Sequence, residues 1–344
     1  MEEKPKTVRE LQTSRSSSLP YTHISNSIDR VEKILLDRKT GLEKSVRTGT
    51  PKLDKATLDG FLWNSVITLA GMSRSGKSLT LEQIKYGILE NNPEEDIEVL
   101  SFEMEMLSTV QVLRRISAQT RKSISQLMSV GEAISDEELE AIKTLNKKAR
   151  KYPVYSVDAI GDIDQIINTI IKFANDRKMK STGKALVVTL DHVLLTKGKQ
   201  GETEKKVVDN LYLAMMGLRK LFESNGMKIL IILISQFNRN ILAPDRILKS
   251  NLHFPNESDL FGASSIFMGS DIVIASHKPS LIPGINKYGP TEMPITNPEN
   301  PGQKMIYWHI IKNRFGSEKI LMMLDDFKNS RILEYYPPNK ANKM

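Results

Sequence analysis

"SVITLAGMSRSGKSLTLEQIKYGILEN", residues 65–91, is the stretch that decides the fold. Its centre, GMSRSGKS (71–78), fits the spacing G-x-x-x-x-G-K-[ST], with Gly71, Gly76, Lys77 and Ser78 in the fixed places. Glycines there permit a backbone whose successive N–H groups turn inward toward phosphate oxygens. The lysine reaches the β- and γ-phosphates as a point charge, and the serine hydroxyl holds Mg²⁺. The helix that follows adds its positive end. The flanks agree with this reading. SVITLA (65–70) is a short β-branched apolar run, and downstream Leu81, Ile84, Ile88 and Leu89 recur at helical spacing. Strand, glycine loop, helix is the order a phosphate-binding loop requires. Gly71, Ser73, Arg74, Ser75, Gly76, Lys77, Ser78 and Leu79 are therefore expected to surround a nucleoside triphosphate, ATP or another, with Mg²⁺.

The bulk numbers narrow the remaining classes. The chain has 344 residues, 40% apolar and 26% charged, as an ordinary globular protein does. With no cysteine it can form neither disulfides nor thiolate metal sites. The longest apolar run, ILIILI (229–234), is far too short to span a bilayer. Glu2 and Glu3 follow the first methionine with no apolar segment after them, unlike a secretory signal. The net charge of +8 permits a polyanionic partner without requiring one.

Residues 1–24 are polar and Ser-rich and read as a disordered tail. Within 25–45, Ile28, Val31 and Leu35 stripe a short helix, either packed on its own domain or docked as a linker on a neighbouring subunit. From 46 to 336 strands and helices alternate. Strands are expected at 65–70, 97–102, 153–158, 185–191 and 228–235, and SDEELEAIKTLNKKARK carries the Ser135/Glu138 capping-box spacing. The strands are near-continuous apolar runs, which suits a parallel sheet covered on both faces. After residue 270, DIVIAS, MIYWHIIK, KILMML and RILEYY read as strands without helices between them. A connector with six prolines, Pro279 to Pro301, is expected to be an exposed loop, and 337–344 a tail. The fold class is α/β, with a mostly parallel sheet, helices on both faces and an antiparallel C-terminal extension.

Three further residues suit a nucleotide hydrolase. Asp191 ends ALVVTLD, expected beside the loop-bearing strand, where a carboxylate holds Mg²⁺. Glu103 follows VLSF and can polarise an attacking water; Glu105 is its rival. Gln236 ends KILIILISQ, where a neutral amide can sense the γ-phosphate.

Loop, glutamate, aspartate and glutamine in this order resemble the RecA-like core. The finer motifs resemble the hexameric replicative helicases of the DnaB-like family. TGTPKLDKATLDG (48–60) is similar to the family's entry segment, and LSFEM (100–104) to its strand-plus-glutamate motif, which favours Glu103. LDHVLL stands in place of its Asp-Tyr-Leu-Gln run, and ISQFNR (234–239) resembles its Ser-Gln strand end. ESDLFGASSIFMGSDIVIASHKP resembles a segment carrying a DNA-contacting loop, and IIKNRFG (310–316) the Lys-x-Arg-x-Gly hairpin. The resemblance implies a RecA-like fold and an ATP-dependent helicase moving 5′ to 3′ on single-stranded DNA in replication. It also implies a homo-hexamer in the cytoplasm of a bacterium, or of a host if phage-encoded, with primase or a loader as partner. Lys312 and Arg314 become a finger on a neighbour's γ-phosphate.

Departures temper this. The family's globular N-terminal domain finds no room in the first 45 residues, and Phe261-Gly262 replaces the usual Arg-Glu of the DNA loop. Gly262, Ser264 and Ser265 can still meet phosphates there. Lys197 and Lys199 belong to a loop that is either solvated or DNA-facing, with Glu202 and Glu204 interleaved. His192, where the family has tyrosine, reads as structural. Two alternatives stay open: a RecA-like recombinase or regulatory DNA-binding ATPase without unwinding, and a noncatalytic nucleotide-gated scaffold or loader.

Overall fold

The computed structural model describes residues 21–131 and 134–338. Of the expected tails at 1–24 and 337–344, residues 1–20 and 339–344 lie outside them. The chain divides into two units, one ending at Ser45 and one from Val46 onward. In the first, α1 spans Ile24–Lys39, slightly longer than the apolar stripe requires. The His23 ring caps its start by accepting from the Ser25 N–H, and Arg38 and Lys39 meet the negative end of its dipole.

The second unit is built on one ten-stranded sheet. Its strands are β1 (Ser65–Gly71), β2 (Ile97–Glu103), β3 (Val154–Val157), β4 (Ala185–Asp191), β5 (Ile229–Gln236) and β6 (Ile272–His277). The later strands are β7 (Lys287–Tyr288), β8 (Met293–Pro294), β9 (Thr296–Asn297), β10 (Asn300–Asn313), β11 (Lys319–Asp326) and β12 (Arg331–Glu334). The main helices are α2 (Lys77–Asn91), α3 (Ser108–Thr120), α4 (Asp136–Ala149), α5 (Ile163–Asp176), α6 (Glu204–Ser224) and α7 (Ala263–Gly269). The sheet order is β12-β11-β10-β6-β1-β5-β4-β2-β3, with β9 on β10. β6 through β3 pair in parallel, whereas β10, β11 and β12 are antiparallel, as expected for an α/β sheet with this extension.

Alternate side chains of each central strand enter different cores. Val66, Val188, Ile231 and Val273 pack with Ile166 and Ile170 of α5 and Leu211 and Met215 of α6. Ile67, Val187, Ile232 and Ile274 pack with Leu81, Ile84 and Ile88 of α2. Because both faces are covered, every residue of β1, β2 and β4 is buried, which explains the absence of polar alternation. The Ser135/Glu138 capping box forms as the spacing requires.

Two expectations need correction. β4 is not beside β1, because β5 lies between them. The proline-rich connector is not simply an exposed loop. It forms the β7–β8 hairpin and buries Tyr288 completely, beside Met305, Tyr307, Leu324 and Tyr335. An aromatic side chain of this size outweighs the solvent preference of the prolines around it.

The Tyr288 hydroxyl lies 2.6 Å from His277 Nδ1 and 2.7 Å from His309 Nε2. Burial pushes His277 well below its ordinary range and His309 down to about 3. The unfolded chain takes up protons on these rings below about pH 6.5, while the folded chain excludes them. Stability contributed by the neutral rings is therefore complete above that pH and lost on acidification toward pH 3. Each excluded proton costs about 1.4 kcal/mol per pH unit in that window. The melting temperature should fall between about pH 7.5 and pH 5, and His309→Gln should reduce that fall; calorimetry at the two pH values checks this.

Candidate functional site

Residues 72–76 turn from the end of β1 into α2. Gly76 has φ +91°, and a Cβ there would come within 2.9 Å of Phe327 and Ile332 side-chain atoms. Gly71 is more tightly constrained, since a Cβ would meet the Ser276 carbonyl oxygen at 2.4 Å. Both fixed glycines thus have local steric reasons as well as the phosphate-loop one. Lys77 Nζ donates to the Met72 carbonyl at 2.7 Å, inside its own loop. Burial lowers the Lys77 ammonium to about 8, against the opposing pull of Glu105 and Asp191.

The start of α2 approaches the end of β4. Ser78 Oγ donates to Asp191 Oδ1 at 3.4 Å, a long contact, and Asp191 Oδ2 is buried with no hydrogen-bond partner. Burial, then Glu105 and Glu103, push Asp191 up to about 7. Two hard oxygens, one of them a buried carboxylate oxygen without a hydrogen-bond partner, fit a small divalent cation such as Mg²⁺. Among the described residues no group of three or more His, Asp or Glu forms a self-contained metal site.

Strand register gathers the sequence candidates. Gly71 pairs with Gln236 across β1–β5, and Glu103 with Asp191 across β2–β4. A cavity of about 390 Å³ opens at this carboxyl edge, lined by Ser73, Arg74, Gly76, Lys77, Ser78, Leu79, Glu105, His192 and Gln236 among others. Ser75 is buried, its backbone carbonyl accepting from Ser276 Oγ at 2.9 Å. His192 takes a left-handed backbone, φ +74°, and its Nε2 contacts the Gln236 side chain. Burial lowers the His192 pKa, Glu105 opposing and Lys77 reinforcing the shift.

Glu103 is not in this cavity. Its Oε1 accepts from Ser101 at 2.6 Å and pairs with Lys85 at 3.1 Å, and its Oε2 accepts from Gln111 at 3.0 Å. Glu105, two residues later, is exposed and does line it. Sequence reading sets His192 aside as structural and gives no sign of Arg114, Phe327 and Ser330, which also line the cavity. Phe327 and Ser330 come from the turn between β11 and β12, so no local pattern links them to residue 77.

Lys312 and Arg314 are not brought to this cavity. β10 runs against β6, placing Lys312 opposite Val273 and Asn313 opposite Ile272, whereas Gly71 lies opposite Ser276. The pair therefore stands toward the other end of the sheet. Lys312 Nζ donates to the Phe267 carbonyl, and Arg314, with a side chain 46% exposed, pairs with Asp271 at 3.0 Å. Burial lowers the Lys312 pKa, with Arg314 adding to it.

The other polyanion candidates are dispersed over the loop after β4 and the start of α7. Lys197 and Lys199 are exposed, and Lys199 lies 3.7 Å from Asp164. Gly262, φ +78°, precedes α7; Ser264 is exposed, while Ser265 Oγ donates to Asp209 and to the Gly262 carbonyl.

Residues 45–329 match the family described as DnaB-like helicase C terminal domain. Among solved structures, one described as an ATPase domain aligns with a TM-score of 0.72 at 15% identity, covering 92% of this chain and 100% of that one. A DnaB-like replicative helicase, solved together with its interactions with primase, gives 0.69 at 14% identity, over 96% and 71%. At such identities the structural likeness bears on the fold alone. No curated protein matches the chain.

Lys77→Ala should weaken binding of a fluorescent ATP analogue by about tenfold or more, since it removes a charge-assisted contact. Asp191→Asn should remove the Mg²⁺ dependence of that binding without lowering the melting temperature, because the buried charge it deletes is held at a cost.

Proposed function

The chain belongs to the DnaB-like helicase C-terminal domain family, and on that footing we propose that it is an ATP-dependent DNA helicase translocating on single-stranded DNA. Its fold is the RecA-like α/β core. The observation that carries the reading is the split of charge across the sheet. The phosphate cavity holds Lys77 and the Ser78–Asp191 pair, while Lys312 and Arg314 stand toward the opposite end. Such a chain has a phosphate site on one side and a cationic finger on another, which suits a ring in which each finger serves the next subunit's nucleotide.

In this reading the loop N–H groups and Lys77 orient the triphosphate. Ser78 and Asp191 would hold Mg²⁺, which would supply positive charge against the phosphate oxygens. Glu103, the assignment favoured by the family resemblance, accepts a proton from the attacking water. The bond from that water to the γ-phosphorus forms as the bond to the β-phosphate oxygen breaks. Gln236, in contact with His192, lies where loss of the γ-phosphate is felt. Arg314 and Lys312 of the neighbouring copy stabilise charge on the transferred group. The loops at 197–206 and 258–266 then move along one strand, in the 5′ to 3′ direction that the resemblance implies. Replication, a homo-hexamer, primase or a loader as partner, a cytoplasmic location, and α1 as a linker helix on the neighbour are parts of the same proposal.

A second reading, a regulatory or recombinase-like DNA-binding ATPase without unwinding, draws on one feature. Ser265, one of five residues expected to meet DNA with Lys197, Lys199, Gly262 and Ser264, is engaged by Asp209.

Three measurements separate the readings. Hydrolysis of ATP should rise several-fold with single-stranded DNA and vanish in Lys77→Ala. A forked duplex should be unwound; stimulated hydrolysis without unwinding would favour the second reading, and indifference to DNA would defeat both. Lys77→Ala and Arg314→Ala chains should each be inactive alone, yet regain part of the activity when mixed, because a mixed ring contains sites with both groups intact. Failure to complement, with both variants folded, would remove the shared-site mechanism.

A further inference from the structure

Beneath the phosphate loop, α2 turns a lysine inward. Lys85 is 2% exposed. Its Nζ lies 3.1 Å from Glu103 Oε1 and 3.3 Å from Ser101 Oγ, and it forms an ion pair with Glu82 one turn earlier. Ser101 is itself 2.5 Å from Thr189 Oγ1 on β4. On the other side Gln111 of α3 donates to Glu103 Oε2 at 3.0 Å. Both oxygens of Glu103 are therefore occupied, and the residue does not line the cavity around Lys77.

A buried lysine is costly unless paired, and this one has two carboxylates. Glu82 remains on Lys85 if Glu103 leaves, and Arg114 of α3 faces Glu82 as well. Departure of Glu103 thus strands no ammonium in the interior. Removal of Glu103 leaves the Lys85–Glu82 pair behind. Glu103 also stands at the end of a strand, next in register to Asp191.

We infer that Lys85 and Gln111 are positioning residues that hold Glu103 out of the phosphate cavity, and that its release from them admits activation of water. This rests on the assignment of Glu103 as the water-orienting group. Gln111 is the uncharged tether. It lies on α3, a different element from Lys85, and the first residue of α3 is held by Ser108 Oγ donating to Asp158 at 2.7 Å beyond the end of β3.

The test is steady-state ATP hydrolysis by the full chain over a range of ATP concentrations, with and without an oligothymidylate. Gln111→Ala removes one hydrogen bond to a charged group and leaves every ion pair intact. It should raise basal kcat by about tenfold, leave KM unchanged, and shrink the stimulation by DNA in proportion. Lys85→Met should act in the same direction, but it leaves carboxylates buried, so its melting temperature is measured first and Gln111→Ala decides. A basal kcat that is unchanged or lower in Gln111→Ala, at a wild-type melting temperature, overturns the inference. Glu103→Gln and Glu105→Gln separate the two levels. Loss of hydrolysis with ATP still bound in Glu103→Gln upholds the assignment independently of the tether. Hydrolysis that survives in Glu103→Gln and disappears in Glu105→Gln removes the assignment, and the inference with it.

Discussion

The pairing of β1 between β5 and β6 is the constraint from which the site follows. Its ladder runs from Ser65 to Gly71 on one side and from Ile67 to Gly71 on the other, so the glycine at its end has strand backbone on both flanks. Ser276 presses from one neighbour, and Gln236 is level with it on the other. With both sheet faces covered, mostly by aliphatic side chains, the edge where the strands stop is where a ligand can be met. Asp191, His192, Gln236 and the loop after β1 come together there. In open parallel sheets this edge is the general place for ligands.

Charge is distributed around that edge with little slack. Lys77 is driven toward neutrality and Asp191 toward protonation by the same burial. Each would recover its charge on meeting an opposite one, a phosphate for the lysine and a cation for the aspartate. Nearby, Lys85 and Glu82 are paired with each other within the interior. The site thus contains one pair of groups waiting for a ligand and another that needs none.

Much of this is legible in the sequence for a physical reason. A central strand must be apolar on both faces and a phosphate loop needs its glycines, so both leave marks within a dozen residues. β1, β2, β4 and β5 and the capping box at Ser135 stand where those marks put them. Strand order leaves no such mark, which is why the place of β5 between β1 and β4 emerges only in the folded chain. Tertiary proximity leaves none either. Phe327 joins the cavity across some 250 residues, and Glu103 is held by Lys85 and Gln111, which lie on two different helices. Tyr288 shows the converse: proline-rich composition conceals a buried aromatic anchor.

Phe327 and Ile332 against Gly76 carry a consequence for synthesis of the chain. The phosphate loop is complete once residue 78 has been made, but the wall that closes over it belongs to β12 and the turn that leads into it. A nascent chain on the ribosome therefore exposes the loop for the time needed to add some 250 further residues without being able to form the whole cavity. The cavity around Lys77 is thus completed only when the C-terminal turn and β12 have been made.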